Sequence, residues 1–342
     1  MKKNHRFLRI LLALSIILLA LNISAQQIQI LTSGTKTSLR GLSVVDDNII
    51  WASGSNGTVA KSTDGGKNFT WLKVAGYEKR DFRDVEAFDS NTAIIMAVAE
   101  PAIILKTKDG GKNWYKVFED TTKGMFLDAM DFDGNEGIVI GDPINSILYS
   151  SITKDYGETW IKNFTSSEME LSLISNEAFF ASSGTNVIYN KRSKYDKFIM
   201  ASGGTKSRLI YSRFLYFDLP IIQGKESTGA NSIDIYKNKG IVVGGDFAKD
   251  KDTTLNCVLI DFNKQVSFSH PQTPPHGYRS CVIYINDKQL ITCGTSGIDI
   301  SNDSGMNWQL ISNESFHVVQ KAKKGKAVFL AGGGGRIAKY IF

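Results

Sequence analysis

Three arginines, Arg40, Arg83 and Arg279, open apolar segments in a chain of 342 residues. The planar guanidinium fork of each matches a carboxylate bidentately. Five acids, Asp84, Glu100, Asp128, Asp142 and Asp246, stand at comparable points along the chain, with Tyr278 and His317 near the later ones. Such a set suits capture of an anionic group, on a small ligand, a carbohydrate or a charged loop of a partner protein. The same charges can instead pair with one another and hold a framework in register. Residue types for other chemistry are not found at the spacing they need. There is no glycine-flanked serine elbow, no Cys-x-x-Cys pair and no His-Glu-x-x-His helix. The run Gly332 to Gly335 has neither the following helix nor the Lys-Ser/Thr of a phosphate cradle, and reads as a turn between strands. No catalytic residue, metal or cofactor is therefore expected, and an oxidoreductase role would lack any cofactor motif.

Charge narrows the partners further. The formal net charge of +6 includes Lys2, Lys3, Arg6 and Arg9, and no acid precedes residue 46. Without those four the balance is 36 basic against 34 acidic residues, so nucleic-acid binding is not expected. The same segment continues into an apolar run from Ile10 to Leu21 and then Ile23-Ser24-Ala25, the layout of a signal peptide cleaved before Gln26. Twelve residues at helical rise reach about 18 Å, short of the roughly 30 Å of a bilayer core. A periplasmic or secreted protein without a stable membrane span after cleavage is expected, with residues 26–342 as one domain. Three cysteines, Cys257, Cys281 and Cys293, are too few for a disulfide scaffold.

The elements that must position the arginines emerge from self-comparison. Ser62-Thr63-Asp64-Gly65-Gly66-Lys67-Asn68-Phe69 returns at Thr107 to Trp114, at Thr153 to Trp160 and at Ser301 to Trp308. The shared pattern is Ser/Thr, x, Asp, x, Gly, x, x, aromatic. Its aspartates, Asp64, Asp109, Asp155 and Asp303, are 45, 46 and 148 residues apart, and the last gap holds three steps of about 49 residues, the period of stacked units. Each copy reads as a tight turn between two strands, its carboxylate accepting turn amides, its glycine supplying a positive φ and its aromatic ring packing on the sheet. This pattern resembles the Asp-box, or bacterial neuraminidase repeat, in which the box is structural.

Seven units follow, each opening with two apolar runs: Leu39 to Val45, Phe82 to Phe88, Phe126 to Phe132, Ala178 to Ser183, Ser232 to Tyr236, Arg279 to Ile285 and Phe316 to Lys321 are the first runs. At about 45 residues each these are four-stranded blades, and the fold expected is an all-β, seven-bladed propeller. The last unit has three strands, while Gln27 to Leu31 precedes the first as a spare alternating strand, so pairing the two ends closes the ring. Cys281 and Cys293 become direct cross-strand neighbours if Asn286-Asp287-Lys288 is the hairpin loop, with packed thiols preferred to a bond. In this layout Arg40, Arg83, Asp84, Asp128, Arg279 and His317 begin first strands, and Glu100, Asp142 and Asp246 sit in second-to-third turns. All of them then face one mouth of the central channel.

Ser38-Leu39-Arg40-Gly41-Leu42 running into Trp51-Ala52-Ser53-Gly54, together with Gly141-Asp142-Pro143, Ala181 to Asn186, Val243-Gly244-Gly245-Asp246 and Gly277-Tyr278-Arg279-Ser280, resembles exported bacterial propellers similar to photosystem II stability/assembly factors. The likeness spans nearly the whole mature chain, with units four and five departing by loss of their boxes. It implies a seven-bladed propeller doing binding or assembly work. A non-enzymatic binding propeller, expected as a monomer, is thus the leading reading. The alternative is a sialidase-like glycoside hydrolase, which needs an arginine in a Phe/Tyr-Arg-Ile-Pro context and a tyrosine nucleophile beside a glutamate. Leu39-Arg40-Gly41-Leu42 lacks the first, and Tyr278 has no partner evident in the sequence.

Overall fold

The computed structural model describes residues 27–162, 172–190, 196–212 and 215–342. The expected signal peptide lies outside these residues. Alternating, β-branched and aromatic segments separated by Gly, Asn and Asp turns form strands throughout, and the described helix is confined to one 3-10 turn at Gly333–Gly335. The strands make seven antiparallel sheets. Blade one contains Leu39–Val44, Ile50–Gly54, Thr58–Ser62 and Thr70–Lys73 from the channel outward, and blades two, three and six repeat that order. This is the all-β seven-bladed propeller expected.

Closure is also as expected. Gln27–Thr32 pairs with Ile337–Ile341 as the outermost strand of blade seven, in the register Gln27↔Ile341, Ile28↔Tyr340 and Gln29↔Lys339. The edge that three strands would leave open is thereby covered. In blade six the amide of Ile285 donates to the Gln289 carbonyl at 2.8 Å, which places Cys281 opposite Cys293. Both are buried free thiols.

Blade four corrects the sequence reading. Its innermost strand is Val187–Tyr189, not the run from Ala178 to Ser183. The first residue of that run, Ala178, and the preceding Glu177 pair with Gly203–Gly204 at the edge of blade five. The remainder crosses the channel. Ser182 Oγ donates to Asn231 Oδ1 at 3.0 Å, Ser183 Oγ to the Ser280 carbonyl at 2.6 Å and Thr185 Oγ1 to Ser232 Oγ at 2.8 Å. At Gly184, φ is +69° and an added Cβ would lie 2.3 Å from the Asp84 carboxylate, so only glycine passes there. Small hydroxylic residues suit a segment whose backbone leaves the sheet ladder, because its polar groups need partners from several blades.

The repeated box forms the connection between third and fourth strands of blades one, two, three and six. In blade two, Thr107 Oγ1 donates to Asp109 Oδ1 at 2.9 Å and accepts from the Gly111 amide at 3.0 Å, while the Asn113 amide donates to Asp109 Oδ1 at 2.9 Å. Gly111 takes φ +88° and lies against Trp51 of blade one, and the box ring of Trp114 meets Trp51 edge-on at 6.4 Å. The lysine preceding the box hydroxyl reaches the next box along: Lys61 Nζ donates to the Gly110 carbonyl at 2.9 Å and Lys106 Nζ to the Tyr156 carbonyl at 2.8 Å. Boxes therefore both cap turns and join blades.

These contacts carry a pH prediction. The amide of Asn113, then its side chain, hold Asp109 down to about 2, and Asn68 does the same for Asp64. A carboxylate depressed in the folded state stabilises above its unfolded value near 4 and stops doing so as the pH falls through about 2. The gap in melting temperature between the wild type and Asp109→Ala should thus be full above pH ~4 and shrink toward pH ~2. A gap that stays constant over that range would show that the carboxylate is not the stabilising group.

Candidate functional site

Four first strands carry a β-bulge at their channel-mouth ends. The ladder steps from Leu39 to Gly41, from Phe82 to Asp84, from Leu127 to Ala129 and from Ala230 to Ser232. The residues passed over are Arg40, Arg83, Asp128 and Asn231. A bulge releases one residue from the alternation of the strand and re-aims its side chain, and all four line a single cavity of about 480 Å³. Opposite each bulge the second strand comes very close. A Cβ on Gly54 would lie 2.2 Å from the Ser38 carbonyl oxygen, and one on Gly244 would lie 1.9 Å from that of Gly229. Gly54, Gly141 and Gly244 are thus the counterparts of the bulges in blades one, three and five, and Ala97 takes that place in blade two.

Aromatic residues complete the wall: Phe126, Phe179, Phe180, Phe247 and Tyr278. Phe247 is half exposed and meets Phe180 edge-on at 5.9 Å and Tyr278 at 6.3 Å. The segment that crosses the channel supplies Phe179 to Ser182 to this cavity, and Gly184 and Thr185 to a second one of about 180 Å³ further along the channel. The mouth is therefore a blind funnel. The second cavity is lined by Asp84, Glu86, Asp131 and Asp234 with Lys321 and Lys323. Its carboxylates clasp the next blade: Met130 N donates to Asp84 at 2.8 Å, Tyr189 N to Asp131 at 2.6 Å and Tyr284 N to Asp234 at 2.6 Å. Burial pushes Asp131 up to about 7 and Asp234 up to about 6.

At the mouth the charges are unevenly matched. Arg83 Nε pairs with Asp81 Oδ2 at 2.8 Å, and its guanidinium lies 5.8 Å from the Phe126 ring centre. Arg40 Nη1 donates to the Ser182 carbonyl at 3.3 Å, and no acid within ion-pair distance of it is found among the described residues. Burial, then the neighbouring Arg83, lower Arg40 from the usual guanidinium value, without removing its charge. Burial, then Arg40 and Arg83, push His317 down to about 3, so its imidazole is neutral at pH 7, with Nε2 3.2 Å from Ser38 Oγ. Burial raises the Tyr278 phenol to about 12, and its hydroxyl donates to Asn231 Oδ1 at 2.8 Å. That partner is an amide, not the glutamate a tyrosine nucleophile would need.

Of the ten residues singled out in the sequence, Arg40, Arg83, Asp128, Tyr278 and His317 meet in this cavity. The other five do not line it. Asp84 faces the second cavity. Asp142 Oδ1 accepts from the Phe179 amide at 3.1 Å and Asp246 Oδ1 from the Ala248 amide at 3.0 Å, so both cap backbone turns. Glu100 is exposed and accepts from the Gly124 amide.

Arg279 departs furthest from its expected role. It is fully buried, its Nε donating to Asp299 Oδ2 at 2.7 Å and its Nη1 to the Tyr278 carbonyl at 2.8 Å and to Ser296 Oγ at 2.7 Å. The cause is register. The amides of both Arg279 and Leu39 donate to the carbonyl of a glycine in or just after the second strand of the preceding blade, Gly244 and Gly332, so Arg279 corresponds to Leu39 and Ser280 to Arg40. An Arg279→Lys change would lose this fork. The aromatic wall and Asn231 were missed; Asn231 alone had a signal, standing directly before the apolar run that begins at Ser232.

The fold and the blind, charged mouth together define a seven-bladed propeller. Solved structures similar to the chain include YCF48 bound to D1 peptide, with a TM-score of 0.63, 16% identity and coverage of 94% of this chain and 98% of that chain. YCF48 from Cyanidioschyzon merolae aligns with a TM-score of 0.64 and 16% identity over 92% of this chain and 98% of that one. The WD40 propeller domain of Doa1 aligns with a TM-score of 0.62 and 12% identity over 92% and 97%. The sequence matches no protein-family model and no curated protein. No helix among the described residues is long and apolar enough to cross a membrane.

Proposed function

We propose that the chain is an exported, non-catalytic binding propeller, periplasmic or secreted, whose mouth captures a carboxylate-bearing segment of a partner protein. The observation that carries this reading is Arg40, a guanidinium at the mouth of a blind cavity with no acid partner among the described residues. A partly desolvated cation without a counterion is costly, and a carboxylate that meets it is correspondingly favoured. The neighbouring Arg83 adds a second fork, and the aromatic wall offers apolar contact of the kind found at the centre of protein interfaces. The YCF48 structure with a bound peptide supports a peptide as the form of ligand. The Asp-boxes, in this reading, hold the blades and take no part in recognition.

The test is an array of acidic peptides probed with the wild type and with the Arg40→Ala/Arg83→Ala double variant. Binding to carboxylate-bearing peptides should fall about tenfold or more, the order expected for losing two charge-assisted contacts, with the melting temperature held. Capture that survives the double change would move the recognition surface elsewhere.

A further inference from the structure

Asp128 is the one mouth residue whose surroundings the binding reading leaves unexplained. It sits at a bulge like Arg40 and Arg83, it is wholly inaccessible to solvent, and neither carboxylate oxygen has a hydrogen-bond partner among the described residues. A carboxylate stripped of water and with no donor in full hydrogen-bonding geometry is disfavoured in the charged form. Its neighbours do little to offset this. Arg83, a cation that acts on it, has its Nε on Asp81, and Asp142 adds like charge. Burial first, then Asp142, accordingly push Asp128 well above the ordinary carboxylate range, against smaller opposing effects from Arg83 and the amides of Ala181 and Asp142.

Resting on the anion-capturing mouth described above, we propose that Asp128 is the charge gate of that mouth: protonated, it leaves the positive charge of the mouth to an incoming anion, and ionised, it competes with that anion for Arg83. The partner would then be held more tightly in acid and released as the pH rises. The other titratable groups facing the cavity do not imitate this. His317 of blade seven is already neutral throughout and Tyr278 beside blade six stays protonated, and a guanidinium does not deprotonate in a protein. Asp142, on the neighbouring strand of blade three, is raised by burial as well, so it needs its own variant.

The probe is phenylmethanesulfonate, an anion whose own charge is constant over the range and whose ring suits the aromatic wall. Its affinity is measured calorimetrically between about pH 5 and pH 8, where unperturbed carboxylates no longer titrate. The wild type should bind about tenfold more tightly at the acid end, the ratio that one modest charge interaction produces. Asp128→Asn keeps the shape and cannot ionise, so its affinity should be flat and equal at every pH to the wild type in acid. Asp142→Asn should leave the slope in place. A flat wild-type profile, a slope that persists in Asp128→Asn, or a slope abolished only by Asp142→Asn would overturn the gate. Binding that needs Arg40 yet shows no slope removes the gate and leaves the anion site standing. Absence of binding by the wild type at any pH removes both.

Discussion

Asp299→Ala should destabilise the protein by about 3–5 kcal/mol, the cost of leaving a buried charge without its partner. Asp299 and Arg279 are both fully buried, with two guanidinium nitrogens of Arg279, Nε and Nη2, on the same carboxylate oxygen. Asp299 Oδ1 also holds His276 Nδ1 at 2.6 Å, which fixes the loop leading into Tyr278. Removing the carboxylate strands the guanidinium inside blade six, where the Tyr278 carbonyl and Ser296 hydroxyl do not neutralise it. A paired replacement, Arg279→Met with Asp299→Leu, removes both charges and should recover much of the loss. Urea unfolding of the three variants measures it. A loss under about 1 kcal/mol for Asp299→Ala, the size of a surface pair, would mean that the pair is not desolvated in solution.

Deletion of residues 27–33 should cost about 5 kcal/mol or more, because it removes a ladder of backbone hydrogen bonds, each worth about 1 kcal/mol, and apolar cover together. Ile28 and Leu31 pack against the core that contains Phe329 and Tyr340. Leu31 also approaches Gly66 of the first box, so the strand ties blade seven to blade one. The truncated chain should melt lower, and its newly bare strand, Ile337–Ile341, should pair with other copies, visible as larger species in size-exclusion chromatography. A synthetic peptide of residues 26–33 added in trans should raise the melting temperature again. An unchanged melting temperature would show that three strands suffice in blade seven.

Much of this architecture was legible because its signals are local. Box spacing sets the blade period, and a hairpin loop of known length sets the register of Cys281 against Cys293. Ring closure followed from one strand missing at one end and one spare at the other. The misreadings share a different cause, since a one-residue offset in a strand turns every side chain to the opposite face. Arg40 and Arg83 occupy bulges, whereas Arg279 precedes the first paired residue of its strand, Cys281, and its side chain goes into the wall. No local pattern separates these cases. Blade four is harder still: its box is lost, and the segment from Ala178 to Ser183 resembles an inner strand while its hydrogen bonds go to blades five and six. The aromatic wall of the mouth was hidden for the same reason, being assembled from loops of separate blades.

The two ends of the chain share one sheet, and this sets the order in which the molecule can be completed. Three strands of blade seven come from the last twenty-five residues, while the fourth was made at the very start. Gln27–Thr32 must wait unpaired through the synthesis of every other blade. A chain stalled or clipped before Ile337 would leave it waiting indefinitely, with its edge open to proteases and to other chains. Blade seven is therefore sealed only in a molecule that carries both Gln27–Thr32 and Ile337–Ile341.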